Sequence, residues 1–390
     1  MRMIRIPYKS LLIAAAMGWS ACNAARHPVG AAVSEARIVF EPDGKYASMR
    51  IPALALTPKQ TLLAFCEGRI GNASDWADMN LILRRSTDGG KTWSGITVLD
   101  TSRQSPVGNP TPIVDDRGVV HLLYQKDYKD AFYIRSEDDG ITWSAPVNIT
   151  AVYDQFKPGY NWKVLAPGPG HGIQLQSGRL LAAVWLADSR KLAPRRSHSP
   201  SCVATIYSDD YGATWHRGAI VADSSALIPN PNESQPVELS DRRVLLSIRN
   251  PSPARRRAFA ESPDGATTWT PIRYAEELFD PTCMASIVSV PSWRPQGKPA
   301  LVFVNPDSRA IEKHPRANLT ASVSLDDGKT WQLRRVLDSG PSGYSDMAAG
   351  KDGTIYCLYE TNTGNNKGFN YSLVLKTFNT QWLKKITRNN

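Results

Sequence analysis

The sequence is poor in cysteine and methionine and has no long hydrophobic run. Its 390 residues include five Cys and seven Met, against 11 Trp, 28 Pro and 27 Gly. Few Met and few stretches free of Gly or Pro argue against a helical protein and favour short strands joined by turns. No segment approaches about 18 uninterrupted apolar residues, so we expect no transmembrane helix. The composition, 42% hydrophobic and 21% charged, excludes a disordered, collagen-like or coiled-coil chain.

The first 24 residues are typical of a secretory signal peptide. Three cationic residues precede a short apolar run at positions 11–19, and small residues follow up to a cleavage point after Ala24. The alternative is a lipoprotein cut before Cys22, but that cut needs an aliphatic residue three positions earlier, where Trp19 stands. We therefore expect an exported protein, either periplasmic or secreted.

Cysteine and charge narrow the chemistry further. Four cysteines follow the predicted cleavage point, and both disulfide pairing, in any of three patterns, and four buried free thiols are open for them. None of them forms a CxxC pair, so we expect no metal and no cofactor. The net charge falls from +10 to +7 without the signal peptide. The basic clusters lack the interleaved aromatics that single-stranded nucleic acid requires, so we expect no nucleic acid partner. The four cysteines are Cys66, Cys202, Cys283 and Cys357.

One eight-residue motif, Ser-x-Asp-x-Gly-x-Thr-Trp, recurs along the chain. Four copies are regular, and a fifth has its glycine one position early, at Gly265, with Ala266 in the usual place. The starts are separated by 50, 72, 54 and 62 residues, which is too irregular for a solenoid but suits blades with variable loops. The copies occupy positions 86–93, 136–143, 208–215, 262–269 and 324–331.

Each copy has the local chemistry of a hairpin turn. The Asp carboxylate can accept backbone N–H groups further along, the Gly supplies a positive φ, and the Thr and Trp begin the next strand. A metal site built from the five aspartates is disfavoured, since each lies in its own turn. With units of roughly 60 residues, the chain from 37 to 390 predicts one all-β domain after a linker at 25–36. We expect a six-bladed β-propeller of four-stranded antiparallel blades, one of which lacks the motif.

The motif resembles the Asp box, and a chain with five copies resembles the sialidase (neuraminidase) superfamily. Asp boxes also occur in other secreted propellers, so they indicate fold rather than function. The resemblance implies exo-acting hydrolysis of terminal α-linked sialic acids on glycoproteins, glycolipids and oligosaccharides. It also implies retention of configuration through a tyrosine nucleophile, where most glycosidases use two carboxylates.

Four arginines match the positions that bind the sugar in this family. Arg50, in Met-Arg-Ile-Pro, resembles the family's Arg-Ile-Pro signature and is the first of three arginines that bind the sugar carboxylate. Arg249, at a strand end, and Arg316, before Ala-Asn-Leu-Thr, match the second and third, with Arg309 as the alternative to Arg316. Arg69 resembles the additional arginine near the O4 substituent. Planar guanidinium forks suit a carboxylate because they bind it with two parallel hydrogen bonds.

Four further residues match the family's catalytic and supporting positions. The resemblance makes Asp75 the acid/base, with Asp78 as a competing neighbour. It makes Glu233 the base that activates Tyr344, a tyrosine in a loop of small residues, as the nucleophile. Glu360 resembles the residue that braces the first arginine. Taken alone, Tyr344 would also fit a tyrosine that merely packs in its loop.

Three functions from different classes fit these residues. The first is an exo-sialidase, and the second is a hydrolase of a related 2-keto-3-deoxy sugar acid such as Kdn or Kdo. The third is a carbohydrate-binding propeller without activity, which would need the arginines but has no use for an acid, a base and a tyrosine together. We expect a monomer. His171, in a Gly-Pro-rich stretch, either shapes the pocket or packs, and we expect packing.

Overall fold

The computed structural model describes residues 33–102, 105–293, 297–313, 315–362 and 371–384. The predicted signal peptide, 1–24, lies outside the described residues, as does most of the predicted linker. The described residues are almost entirely β, with helices only at α1 (Thr150–Asp154), a 3₁₀ turn (Pro291–Trp293) and α2 (Thr380–Lys384). Within these residues, no helix has the length and apolarity needed to cross a membrane.

In the part of the chain that the structure describes, twenty-five strands form six antiparallel sheets that follow one another along the sequence. Blade 1 holds β2 (Ser48–Leu56), β3 (Leu62–Arg69), β4 (Met79–Ser86) and β5 (Thr97–Thr101). Blade 2 holds β6 (Val107–Val114), β7 (Val120–Lys126), β8 (Asp130–Ser136) and β9 (Val147–Asn148). Blade 3 holds β10 (Val164–Pro167), β11 (Ile173–Gln174), β12 (Leu180–Ala187), β13 (Ser201–Ser208) and β14 (His216–Asp223).

The second half of the ring repeats this plan. Blade 4 holds β15 (Ser234–Glu238), β16 (Val244–Ile248), β17 (Arg256–Ser262) and β18 (Arg273–Phe279). Blade 5 holds β19 (Ser286–Val290), β20 (Ala300–Pro306), β21 (Ala317–Ser324) and β22 (Leu333–Pro341). Blade 6 holds β23 (Ser345–Ala349), β24 (Thr354–Thr361), β25 (Ser372–Asn379) and, as its outer strand, β1 (Arg37–Phe40).

The innermost strand of each blade contacts that of the next blade, so these strands form a closed ring around the axis. The ring runs from β2 through β6, β11, β15 and β19 to β23, which returns to β2. The predicted six-bladed β-propeller is therefore confirmed. Blade 6 is closed by a strand from the start of the domain, so no turn joins its third and fourth strands. This connectivity explains why one blade lacks the repeated motif.

The apolar core lies between consecutive blades. Alternate residues of one strand enter opposite interfaces, as β3 shows: Leu62 and Ala64 pack towards blade 6, while Leu63 and Phe65 pack towards blade 2. A strand buried on both faces reads as a continuous apolar run, like the Leu-Leu-Ala-Ala-Val-Trp-Leu-Ala of β12. Alternation of apolar and polar residues is thus a weak signal for the central strands of this fold.

The repeated motif builds the outer hairpin turns, as predicted. In the second copy, Asp138 Oδ1 accepts the N–H groups of Ile141 and Thr142 at 3.1 and 2.8 Å, and Oδ2 accepts the Thr142 hydroxyl at 2.5 Å. Gly140 has φ +79°, and its N–H donates to Ser136 Oγ at 2.8 Å. In the degenerate copy Thr267 takes the threonine's place one position early, so the same bonds form around a shorter turn.

The motif tryptophans reach across to the preceding blade rather than covering only their own turn. Trp143 packs edge-on against Phe65 of blade 1, with ring centroids 5.9 Å apart. Trp215 meets Tyr133 of blade 2 at 5.7 Å in the same way. Each turn therefore contributes to the interface between two blades.

The four cysteines after the predicted cleavage point are buried free thiols, spread over blades 1, 3, 5 and 6 or the loops before them. Of the alternatives that the sequence left open, the structure has the one without disulfides.

Candidate active site

Six of the eight predicted site residues line one cavity of about 180 Å³. They come from blades 1, 4, 5 and 6, and each lies on an inner strand or in a loop between strands, where side chains are free to point into the pocket. The other two predicted residues, Arg69 and Glu360, lie directly behind this first layer and contact it. The six are Arg50, Asp75, Glu233, Arg249, Arg316 and Tyr344.

Three arginines surround the ring of Tyr344. The guanidinium carbons of Arg50, Arg249 and Arg316 lie 5.2, 5.9 and 5.2 Å from the ring centroid. Each is held by a different partner: Arg50 by Glu360, Arg249 by Glu233, and Arg316 by the carbonyl oxygen of Thr282 at 2.7 Å. Three cations that face one small cavity form a binding site for a compact anion.

Tyr344 and Glu233 form the short contact of the site. The phenol of Tyr344 donates to Glu233 Oε1 at 2.7 Å, and Tyr344 is only 6% exposed. Burial raises the pKa of Tyr344 far above its ordinary value, although Arg249, Arg316 and Arg50 oppose that shift. The phenol is therefore neutral near pH 7, and its proton points at the Glu233 carboxylate.

Glu360 holds the side chain of Arg50 and also the backbone of two segments, at Ile51 and at Tyr344. Its two oxygens accept Arg50 Nε at 3.0 Å and Nη2 at 3.3 Å, and they also accept the N–H groups of Ile51 and Tyr344. Ile51 has φ +60°, which is strained for a β-branched residue, at a bulge where the β2–β3 register shifts. The bulge turns the Arg50 side chain towards the pocket, and Glu360 stabilises it there.

Asp75 lies in the β3–β4 loop and carries the most exposed carboxylate of the pocket. Its side chain is 49% exposed, and Oδ1 lies 2.8 Å from Arg69 Nη1 and 3.8 Å from Arg50 Nη1. Burial acts to raise the pKa of Asp75, but Arg69 and Arg50 outweigh it and hold the pKa below the usual value. The competing Asp78 contributes its backbone carbonyl to a loop bond with Ile70.

Arg69 is fully buried, and its main partner, Glu67, was not predicted from the sequence. Glu67 Oε2 accepts Arg69 Nε and Nη2 at 3.0 and 2.7 Å, and Glu67 Oε1 accepts the N–H of Asn109 from blade 2. The spacing was a usable signal, because residues two apart on a strand share a face. A carboxylate two positions before a pocket arginine is well placed to hold it.

An aromatic wall closes the side of the pocket next to Asp75. Tyr128, Trp185 and His198 line the cavity, and Trp76 packs against Tyr128 and His198 at 5.1 and 5.5 Å. Burial is the main cause that lowers the pKa of His198, so the ring is neutral near pH 7. Nothing in the sequence marked these residues, because Trp185 stands in an ordinary apolar strand and His198 in a long basic loop.

Two other residues considered from the sequence lie elsewhere. Arg309 pairs with Asp307 at 2.9 Å, outside the pocket, so Arg316 is the residue beside Tyr344. His171 lines a separate and larger cavity of about 530 Å³, most of whose walls come from the inner strands. That cavity lacks the converging charges of the smaller one, so we regard the smaller cavity as the candidate active site. Within the described residues, no cluster of three or more metal-ligating side chains occurs.

Fold and site together define an Asp-box β-propeller with an arginine-lined pocket around a tyrosine. The chain belongs to the family of BNR repeat-like domains, whose model matches residues 60–357. It is 31% identical over 368 residues to a sialidase of Micromonospora viridifaciens and 30% identical over 374 residues to a sialidase of Bacteroides fragilis. Each match covers 87% of this chain, but the chain spans only 53% and 64% of those two proteins.

A solved structure gives the same result. The structure of a Hadza microbial sialidase superposes with a TM-score of 0.73 at 26% identity, over 89% of this chain and 68% of that one. The resemblance to the sialidase superfamily that the sequence predicted is therefore confirmed.

Proposed function

We propose that this protein is an exo-α-sialidase that releases terminal α-linked sialic acids from glycoconjugates with retention of configuration. The observation that carries the proposal is the 2.7 Å contact between Tyr344 and Glu233 inside a ring of three arginines. A binding protein would need the cations alone. A neutral phenol bonded to a carboxylate base, with a second carboxylate at Asp75, supplies the nucleophile, the base and the acid that nucleophilic catalysis needs.

The pocket chemistry supports an anionic sugar as substrate. A carboxylate on the anomeric carbon would lie between the guanidinium groups of Arg50, Arg249 and Arg316, which are already oriented by their partners. The cavity of about 180 Å³ is smaller than the ~300–1,000 Å³ typical of pockets for drug-sized ligands. Such a space suits one terminal sugar residue, which is why we propose exo action.

In the proposed first step, the Tyr344 oxygen attacks the anomeric carbon while its proton passes to Glu233. The glycosidic bond breaks, and the leaving oxygen takes a proton from Asp75. Burial keeps the phenol of Tyr344 neutral, so transfer to Glu233 must accompany the attack. In the second step water attacks the tyrosyl-enzyme, Asp75 accepts the proton of that water, and Glu233 returns its proton to the departing phenolate. Two inversions at one carbon give net retention.

We also propose export, with residues 1–24 as a signal peptide, 37–390 as the catalytic domain and a monomeric state. These proposals rest on the cationic and apolar pattern of the N-terminus and on the closure of one propeller within one chain. N-terminal sequencing of the protein recovered from culture fractions would test the cleavage after Ala24, and a fragment beginning at Cys22 would favour the lipoprotein.

One assay tests both substrate and mechanism. Matched fluorogenic glycosides of Neu5Ac, Kdn and Kdo should be hydrolysed in that order of preference, and NMR of the Neu5Ac reaction should show the α-anomer as the first released sugar. Faster hydrolysis of the Kdn or Kdo glycoside would show that the substrate is instead a related 2-keto-3-deoxy sugar acid. Release of the β-anomer first would contradict the tyrosyl-enzyme, and no release from any of the three would contradict the activity.

A further inference from the structure

A second buried carboxylate, Asp346, lies beneath the candidate active site. Asp346 is on β23, two residues after Tyr344, so both side chains lie on the same face of the chain, with Asp346 roughly 7 Å deeper along the axis. It is 0% exposed, so it cannot contact a sugar in the pocket.

Asp346 accepts five hydrogen bonds from four other blades. Oδ1 accepts His171 Nδ1 at 2.8 Å, Gln235 Nε2 at 2.7 Å and Ser286 Oγ at 3.0 Å. Oδ2 accepts the backbone N–H groups of Leu54 at 2.8 Å and His171 at 3.1 Å. With Asp346 itself in blade 6, this single carboxylate joins the inner segments of blades 1, 3, 4, 5 and 6.

The strands that meet at Asp346 are those that carry the proposed catalytic groups. Gln235 lies on β15 two residues after Glu233, and Leu54 lies on β2, the strand of Arg50. Tyr344 directly precedes β23. The contact between Tyr344 and Glu233 thus joins blades 6 and 4, and the next inward-facing residues of the same two segments, Asp346 and Gln235, are bonded to each other.

We propose that Asp346 is a positioning residue. It fixes the positions of β15 and β23 relative to each other along the propeller axis, and so keeps the Tyr344 phenol within hydrogen-bond reach of Glu233. The proposal rests on the proposed function, in which that pair performs the nucleophilic step. Asp346 acts through the strands and takes no part in bond making.

The donor pattern explains why this position needs a carboxylate. In Asp346→Asn the amide would turn one N–H₂ donor towards Gln235, whose own Nε2 is a donor. Gln235 cannot simply turn over, because its Oε1 accepts the N–H of Ile287 at 3.0 Å. The other two neighbours of Oδ1 can adapt, since the Ser286 hydroxyl can accept a hydrogen bond and His171 can present an unprotonated Nδ1. The conflict in Asp346→Asn is therefore concentrated at Gln235.

A donor–acceptor exchange between positions 346 and 235 tests this role. Asp346→Asn should lower kcat by roughly 10- to 100-fold, as expected for a sub-ångström to ångström misplacement of reacting groups. KM should stay within about threefold, because Arg50 and Arg316 are held separately by Glu360 and Thr282. Adding Gln235→Glu restores an acceptor opposite the new amide and still accepts Ile287 N–H, so the double variant should recover kcat to within about threefold of wild type. Gln235→Glu alone places a second carboxylate opposite that of Asp346, so its kcat should be lower than that of the double variant.

The measurements are kcat and KM on a Neu5Ac glycoside for the four proteins, corrected for active sites by titration with a 2,3-difluoro sialic acid, and crystal structures of wild type and Asp346→Asn. We expect the Tyr344–Glu233 distance to lengthen in the single variant and to return in the double one. Wild-type kcat in Asp346→Asn, or a loss that Gln235→Glu does not rescue, would overturn the proposal.

If Asp346→Asn does not fold, His171→Phe tests the same idea. This variant keeps an aromatic ring but removes the hydrogen bond to Asp346 Oδ1. His171 lines the other cavity, away from the proposed sugar site. We expect kcat to fall by roughly 3- to 10-fold with KM unchanged, and an unchanged kcat would overturn the proposal. Failure of the wild-type protein to hydrolyse any sialoside would contradict the proposed function alone, since the crystallographic distances still test the positioning.

Discussion

Tyr344 holds two conflicting properties in one side chain. As a buried phenol it is a weak nucleophile, since burial raises its pKa, yet three nearby arginines would stabilise the phenolate that attack requires. In the proposed mechanism Glu233 resolves this conflict, because the phenol already donates to it and can transfer the proton as negative charge develops on the oxygen.

Replacement of Tyr344 by Phe should separate catalysis from stability. Turnover should fall by orders of magnitude because the nucleophilic oxygen is lost, while Tm should shift by about 2–4 °C or less. Tyr124→Phe is the matched control, since it removes a phenol bonded to Asp100 at 2.5 Å in another part of the ring. Calorimetry and steady-state kinetics of both variants would decide, and near wild-type turnover in Tyr344→Phe would refute the nucleophile assignment.

Asp75 should act as an acid only with leaving groups that need one. Asp75→Asn should cost about 10²- to 10⁴-fold with a sialyl-oligosaccharide and far less with a 4-nitrophenyl glycoside. Because the pKa of Asp75 is held below its usual value, the protonated form is depleted as pH rises, so kcat/KM for the oligosaccharide should increase as the pH is lowered from about 7 towards about 5. This dependence should vanish in Asp75→Asn. Asp78→Asn is the control, and an equal loss there would reverse the assignment.

At the scale of the element, the Asp-box turn is a separate stabilising unit that lies apart from the chemistry. Asp138→Ala removes four hydrogen bonds to one carboxylate. Only part of their energy is lost in an exposed turn, so we expect about 1–3 kcal/mol of destabilisation and unchanged kcat/KM. Glu137→Ala, the neighbour in the same turn, loses only a surface ion pair with Arg135 and should cost about 0–1 kcal/mol. Denaturant unfolding of both variants tests this, and equal losses of stability would contradict it.

The same turns should make the fold sensitive to acid. Bonds from the Thr142 side chain and backbone are the main cause that lowers the pKa of Asp138 from 3.8 to about 2. A carboxyl with a depressed pKa contributes stability above its unfolded pKa and loses it as the pH falls through the folded one. Tm should therefore drop between about pH 4 and pH 2, and less steeply in Asp138→Asn than in wild type. Parallel curves for the two proteins would exclude this turn as a source of acid sensitivity.

The repeated turn explains what the sequence could and could not reveal about elements. The motif has a local cause, so five hairpins were predictable from eight residues each. The blade closed by β1 was not, because pairing of Arg37 with Leu375 leaves no mark in either segment. In the candidate site, the resemblance predicted Arg50, Glu233 and Tyr344, which the structure brings to one cavity, but the wall residues Tyr128 and His198 depend on how distant loops meet. Nothing in the sequence marked Asp346, because the four residues that bond to it come together only through the ring.

At the scale of the whole molecule, the ring depends on one short strand for closure. Val39 and Phe40 of β1 are buried against blades 1 and 6, while Ile38 is 49% exposed. Phe40→Ala should therefore cost about 3–5 kcal/mol, and Ile38→Ala, on the same strand, should cost less than about 0.5 kcal/mol. Chemical denaturation of the two variants measures the difference. Similar losses would show that β1 contributes little to closure.

The pairing of β1 with β25 also determines when this protein can finish folding. Ser34 bonds to Thr377, and Val33 bridges Phe378, so the last contacts to form join residues more than three hundred positions apart. A chain emerging from the ribosome can complete blades 1 to 5 in order, but its first strand must wait for the last. Contacts of such sequence separation form slowly. During that interval the apolar side chains of β1 are uncovered, so the incomplete ring, rather than the finished protein, is the state most in need of protection from aggregation.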